Sequence, residues 1–217
     1  MTDSATLRRM MVDTQVRPSD VTKFPIIAAM LDVPREVFVP AGQAAVAYSD
    51  GPLPLPDGRE IAEPRTTAKL LDALDVARGD AVLVVGAGLG YATALLGHMA
   101  ESVVAVEADA ALAAEAEAAL AQAGIDNAAV VAGDMAAGLP KAAPFDVVLI
   151  DGGVERVPDA LLDQLAEGGR VAAIFMDGRL GEARVGVKAE GRMGWRFEFN
   201  ATAPVLPGFA RERGFVL

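Results

Sequence analysis

The chain has 217 residues, 53% of them hydrophobic, and a formal net charge of −11, which gives enough apolar material for one good core, with one domain as the default at this length. The absence of cysteine and the presence of one histidine, His98, exclude a disulfide framework, a thiolate metal site, a cysteine nucleophile and a His-rich metal cluster. The acidic balance disfavours the phosphate attraction behind most nucleic-acid binding, and no apolar run long enough to span a membrane or serve as a leader is present, so a cytoplasmic protein without nucleic-acid or membrane partners is expected.

Residues 4–16 carry Leu7, Met10 and Met11 at helical spacing, and Pro18 is expected to end that helix. A second helix is expected from about Thr22 to Leu31, with Pro25 tolerated in its first turn. The stretch "VPREVFVPAGQAAVAYSDGPLPLPDGREIAEP" is rich in proline and glycine and reads as irregular structure with one short hairpin. From Thr66 the texture changes. "TTAKLLDALDV" reads as a helix, and then apolar strands alternate with helices: "AVLVVG", a helix from Ala92, "SVVAVEAD", a helix over 110–123, "AAVVAGD", "FDVVLIDGG", a helix over "PDALLDQL", and "GRVAAIFM". Apolar strands separated by helices predict a doubly wound, mostly parallel α/β sheet covered on both faces. The tail "WRFEFNATAPVLPGFARERGFVL" has an alternating pattern with two aromatic-rich runs and is expected to supply two strands that close the sheet, at least one antiparallel. Trp195 is expected in the core and His98 on the surface.

Gly86, Gly88 and Gly90 follow the first core strand and lead at once into a helix. Such a turn puts free helix N–H groups at the carboxyl end of the sheet and lets a ligand approach the backbone. The spacing is G-x-G-x-G, with Tyr91 where a dinucleotide fingerprint carries its third glycine, and no phosphate-binding lysine. That spacing is found in class I S-adenosylmethionine methyltransferases. The next strand ends at Glu107, placed to accept hydrogen bonds from ribose hydroxyls, and the third ends at Asp134, able to accept from an adenine amino group.

Here the chain resembles the protein-L-isoaspartate O-methyltransferases over nearly its whole length. The resemblance rests on "MMVDTQVRPSDV", "AAMLDVPREVFVP", "AYSDGPLPL", "DGREIAEPRTTAKLLDAL", "VLVVGAGLGYATALL", "GDM" and "LLDQLAEGGRVAAI"; the "VPREVFVP" and "AYSD" segments are more specific than the glycines. It implies a seven-stranded methyltransferase sheet in one domain, with residues 1–65 forming N-terminal helices and a substrate loop and residues 66–217 the cofactor-binding core. It also implies methylation of isoaspartyl carboxylates in damaged proteins, with S-adenosylmethionine as cofactor, S-adenosylhomocysteine as product and no metal. The cofactor would lie against Gly86, Ala87, Gly88, Gly90, Tyr91, Glu107, Ala108, Asp134, Met135 and Asp151. The substrate would meet Arg59, Glu60, Ile61, Arg65 and Thr66. No oligomeric state follows.

Three positions depart from the family pattern. The substrate-contacting hydroxyl of the loop G-Q-T-I-S-Q-P is replaced by Ala62, the acid two residues before the first glycine by Val84, and the small residue after the fourth core strand by Asp151. Arg59, Arg65, Thr66 or Thr67 could supply the missing contact, while Glu60 and Glu63 add negative charge beside an anionic substrate. Two other readings follow. One is a paralogue with a different methyl acceptor and Asp151 as base. The other is a non-catalytic binding protein on the same fold.

Overall fold

The computed structural model describes residues 3–211. α1 (Ser4–Met11) is capped by the Asp3 carboxylate on the Thr6 amide. It runs on through a wider turn, Val12–Val16, and a tight one, Arg17–Ser19, until Asp20 turns left-handed at φ 65°. Pro18 therefore lies within the last turn and does not end the helix; it sits where no intrahelical N–H is required. α2 (Phe24–Asp32) carries Pro25 in its first turn, as expected. Short helical turns at Arg35–Phe38 and Ala44–Val46 follow, and then a hairpin of β1 (Leu53–Pro54) with β2 (Glu60–Ile61), registered Leu53 to Ile61.

The core alternates as read: α3 (Pro64–Leu74), β3 (Ala81–Val85), α4 (Tyr91–Met99), β4 (Ser102–Glu107), α5 (Ala110–Gln122), β5 (Ala128–Ala132) and β6 (Phe145–Val154). α6 shrinks to Asp159–Leu162, because β7 (Leu165–Asp177) starts earlier than its apolar run suggests. The two closing strands are β8 (Leu180–Ala189) and β9 (Arg192–Asn200), both antiparallel. Of the two aromatic-rich runs of the tail, the first forms β9, antiparallel as expected. From 201 to 211 the described residues make one bridge, Val205 to Gly153, and the rest of the second run, 212–217, lies outside the described residues.

The seven strands are ordered β5-β4-β3-β6-β7-β8-β9. The chain builds outward from β3 through β4 and β5, then crosses to β6 on the other side of β3, so a topological switch point lies between the ends of β3 and β6. Successive residues of β3 face opposite sides. Val82 and Val84 join one apolar cluster with Leu71, Leu95 and Leu112, whereas Leu83 and Val85 join another with Ile150, Leu161 and Phe209. Trp195 is only half-buried, its ring edge-on to Phe175 at 4.8 Å, and His98 is exposed.

Candidate functional site

Gly86, Gly88 and Gly90 have φ of 83°, 55° and 91°, a left-handed region that other residues reach only with strain. The turn is tight for three separate reasons. Gly86 donates to the Val106 carbonyl at 2.9 Å. Gly88 passes beneath Leu55, whose Cδ1 would stand 3.1 Å from a Cβ there. Gly90 caps α4, and a Cβ on it would meet Ala116 of α5 at 3.3 Å. The first two glycines shape the crevice and the third lets two helices approach.

Glu107, at the tip of β4, is wholly buried. Its Oε2 accepts the Gly88 amide at 2.7 Å and its Oε1 the Asp109 amide at 3.1 Å. Oε1 also takes the guanidinium of Arg59, which enters the crevice from the β1–β2 hairpin and is itself only 9% exposed. Arg59 Nε has no partner. Next to Glu107 the chain enters the β5 turn, where Gly133 donates to the Glu107 carbonyl at 2.9 Å. There Asp134 is exposed and Met135 buried; Ala108 is exposed and Ala87 buried.

Across the switch point, Asp151 lies in an irregular stretch of β6 where two residues are gained against β7 between Leu149 and Gly153. Burial raises its carboxyl to about 6, against the opposing pull of Arg59 and Arg35. Val84 is fully buried in the sheet, and no acid stands at that place. The crevice is narrow. Leu55 lies over Gly88, and Leu206 over Gly86 and Gly152. The gap bounded by Leu55, Glu60, Gly86, Gly88, Tyr91 and Asp151 has a volume of about 10 Å³, about the least that can take a water.

Outside the crevice a groove of about 580 Å³ runs between Glu60, Ala62, Glu63, Arg65 and Thr66 on one wall and Arg179 to Glu182 and Asn200 to Thr202 on the other. Glu60 borders both this groove and the gaps of the crevice. Burial, with Glu63 nearby, holds its carboxyl above the usual carboxylate range. Glu63 accepts from Arg65 Nε at 2.7 Å and from the Thr66 hydroxyl at 2.8 Å, so those three satisfy one another. Ile61 is buried beneath the hairpin.

Reading the residues one by one missed what holds this loop. Arg35, fully buried, donates to the carbonyls of Ala47 and Ala62, each at 2.8 Å, and its guanidinium lies 4.4 Å from the centre of the Tyr91 ring. Tyr91 is thus a buried platform for Arg35. Burial pushes the tyrosine's hydroxyl upward in pKa and the guanidinium of Arg35 downward. A second brace joins the Tyr48 hydroxyl to Glu36, with Arg8 donating to Tyr48 at 3.0 Å. The signal was an arginine set among apolar residues and prolines in "VPREVFVP". Leu55 and Leu206 gave none.

The family model for protein-L-isoaspartate (D-aspartate) O-methyltransferase matches residues 8–195. The chain belongs to that family. A protein-L-isoaspartate O-methyltransferase of Koribacter versatilis is 42% identical over 171 residues, 79% of this chain and 77% of the relative. One from Methylorubrum populi is 45% identical over 171 residues, 79% of each. Among solved structures, a protein-L-isoaspartate O-methyltransferase superposes with a TM-score of 0.82 at 24% identity, covering 95% of this chain and 66% of that one. A Plasmodium falciparum protein of the same description, in complex with S-adenosyl-L-homocysteine, superposes with a TM-score of 0.80 at 19% identity and covers 95% and 99%. The two braces lie in the segments on which the family resemblance rested most. Among the described residues no helix is long and apolar enough to cross a membrane, and no cluster of three acidic or histidine side chains is placed to hold a metal.

Proposed function

We propose that this chain is an S-adenosylmethionine-dependent methyltransferase acting on isoaspartyl carboxylates in damaged proteins, in the cytoplasm, with residues 1–65 and 66–217 working as one domain. The observation that carries the reading is the pairing of the left-handed glycine turn with Glu107, whose carboxylate already accepts the Gly88 amide at the switch point. That backbone frame suits an adenosyl group once Leu55, Leu206 and Arg59, which fill the crevice here, move aside. Glu107 would hold the ribose, Asp134 and Met135 the adenine, and the turn at Gly86–Gly90 the methionine portion. Asp151, on β6 beside Gly86 of the neighbouring strand's turn, would supply the carboxylate for the methionine ammonium that Val84 does not.

When bound, the cofactor supplies an electrophilic methyl group on a sulfonium, which passes to a carboxylate oxygen to leave a neutral thioether and a methyl ester. The protein needs no base for this, because an isoaspartyl carboxyl titrates near ~4 and is already ionised at neutral pH. Its tasks are alignment and exclusion of water. The groove beside Glu60 and Ala62 orients the peptide, the β1–β2 hairpin covers the reacting oxygen, and Arg35 holds that hairpin through the Ala62 carbonyl. The methyl ester is then open to attack by the following backbone nitrogen, which expels methanol and forms a succinimide.

The test is transfer of labelled methyl from S-adenosylmethionine to a synthetic isoaspartyl peptide, with the aspartyl peptide as control. Base-labile label confined to the isoaspartyl peptide supports the reading. Label on neither peptide, with cofactor shown to bind, removes the substrate assignment.

A further inference from the structure

We propose that Arg59 is the residue that receives the acceptor carboxylate, stored on Glu107 until a ribose takes that side chain over; the proposal rests on the cofactor reading above. Two of the Glu107 contacts come from backbone amides that no ligand removes. The third comes from Arg59, a side chain at the end of the hairpin turn, one residue before the two-residue strand β2. A ribose diol and the guanidinium compete for the same face of the same carboxylate. Arg59 must therefore leave Glu107 before a nucleoside can be held there.

Where it goes is set by the cost of an unpaired buried cation. The other two cations of the loop are committed. Arg35 is fixed on the Ala47 and Ala62 carbonyls, and Arg65 is paired with Glu63. Arg59 alone among the three has a partner that the cofactor would claim, and its Nε is already without one. It borders a small gap together with Glu60, Ala62 and Asp151. Glu60 and Ala62 also line the substrate groove, so this gap is where groove and crevice meet. Ala62 is the position at which the family pattern has a hydroxyl. A guanidinium moved toward it presents a fork of donors to a carboxylate, a closer match than the hydroxyl it replaces, and offsets the negative charge of Glu60. Asp151 is the internal rival for the cation, but with the cofactor bound the methionine ammonium would take its carboxylate. Filling the cofactor crevice thus frees the group that recognises the acceptor.

The experiment measures both ends of this exchange on the full chain. S-adenosylhomocysteine is titrated calorimetrically into the wild type, Arg59→Gln and Arg59→Lys, and methyl transfer to an isoaspartyl peptide is followed for each. Arg59→Gln is expected to bind the nucleoside at least about tenfold more tightly and to raise the peptide KM at least about tenfold. Arg59→Lys, which keeps the charge, is expected to fall between on both. Opposite movements of two affinities from one substitution are not what a purely structural arginine produces. Nucleoside affinity that is unchanged or weaker in Arg59→Gln overturns the proposal while leaving the cofactor reading intact. Tighter nucleoside binding with an unchanged peptide KM overturns the acceptor role. No binding by any of the three proteins removes the cofactor reading itself, and the proposal with it.

Discussion

Glu107 and Arg59 pair directly within the crevice, the carboxylate at the end of β4 and the guanidinium arriving from a hairpin far earlier in the chain. Both are buried, so removing either leaves the other as a buried charge without its ion-pair partner. Glu107→Gln leaves the arginine without its anion and is expected to lower unfolding stability by about 3 kcal/mol. Urea denaturation of the single and of Arg59→Gln/Glu107→Gln checks this. The double variant should recover most of the loss, and a double as unstable as the single contradicts the pairing.

Ala62 offers no side-chain donor where the family pattern has a hydroxyl. With Arg59 present, Ala62→Ser is expected to change kcat/KM for an isoaspartyl peptide little; in Arg59→Gln the same serine is expected to raise it about tenfold, the lower range for one hydrogen bond to a charged group. Steady-state kinetics on that peptide check it, and a tenfold gain with Arg59 intact would show that the contact is missing from the wild type.

Asp151 titrates near 6 in the folded chain against an ordinary value of 3.8. Its folded-state pKa is raised, so the native state holds the proton over a pH range in which the unfolded chain has lost it. Stability therefore falls as pH rises from about 4 to 6, by roughly 2–3 kcal/mol from this group. Asp151→Asn is expected to remove that slope and to be more stable than the wild type above pH 6. The same variant should bind S-adenosylhomocysteine more weakly, because the amide cannot pair with an ammonium. Thermal unfolding across this pH window and calorimetry read the two effects.

Arg35 donates to carbonyls on both sides of the β1–β2 hairpin, at Ala47 and at Ala62. Arg35→Ala removes both bonds and leaves a cavity under the Tyr91 ring. It is expected to cost about 3 kcal/mol or more and to speed tryptic cleavage after Arg59 and Arg65. Limited proteolysis followed by mass spectrometry locates the cuts. Unaltered cleavage there would show that the loop is held by other contacts.

The parallel core was legible because its strands are continuous apolar runs and its turn glycines are local signals; Gly86, Gly88 and Glu107 could be placed at strand ends from spacing alone, whereas Asp151, expected to end its strand, lies within β6, which runs on past an irregular stretch to Val154. β8 was not legible as a strand, although the residues around Gly178 and Gly191 carry left-handed turns with φ of 60° and 70° that mark hairpins. Its alternation is diluted by small residues, Gly181, Ala183 and Gly186, which the aromatic tail overshadowed. The filling of the crevice was hidden for a different reason. Arg59, Leu55 and Leu206 reach it from distant segments, and no periodicity within a segment encodes a contact made only when the chain closes on itself. Arg59 is expected among the residues that meet the substrate for the fit of a guanidinium to a carboxylate; that its side chain lies on Glu107, forty-eight residues further along, is a contact that no local pattern encodes.

Leu206 arrives after the last strand, carried back to Gly86 and Gly152 by the bridge between Val205 and Gly153. One wall of the crevice is therefore made last during synthesis, after every strand of the sheet has left the ribosome. A nascent or C-terminally clipped chain would have its sheet assembled around an unroofed apolar slot, and that interval is when a chaperone, or an early nucleoside, would find the centre of the molecule most accessible.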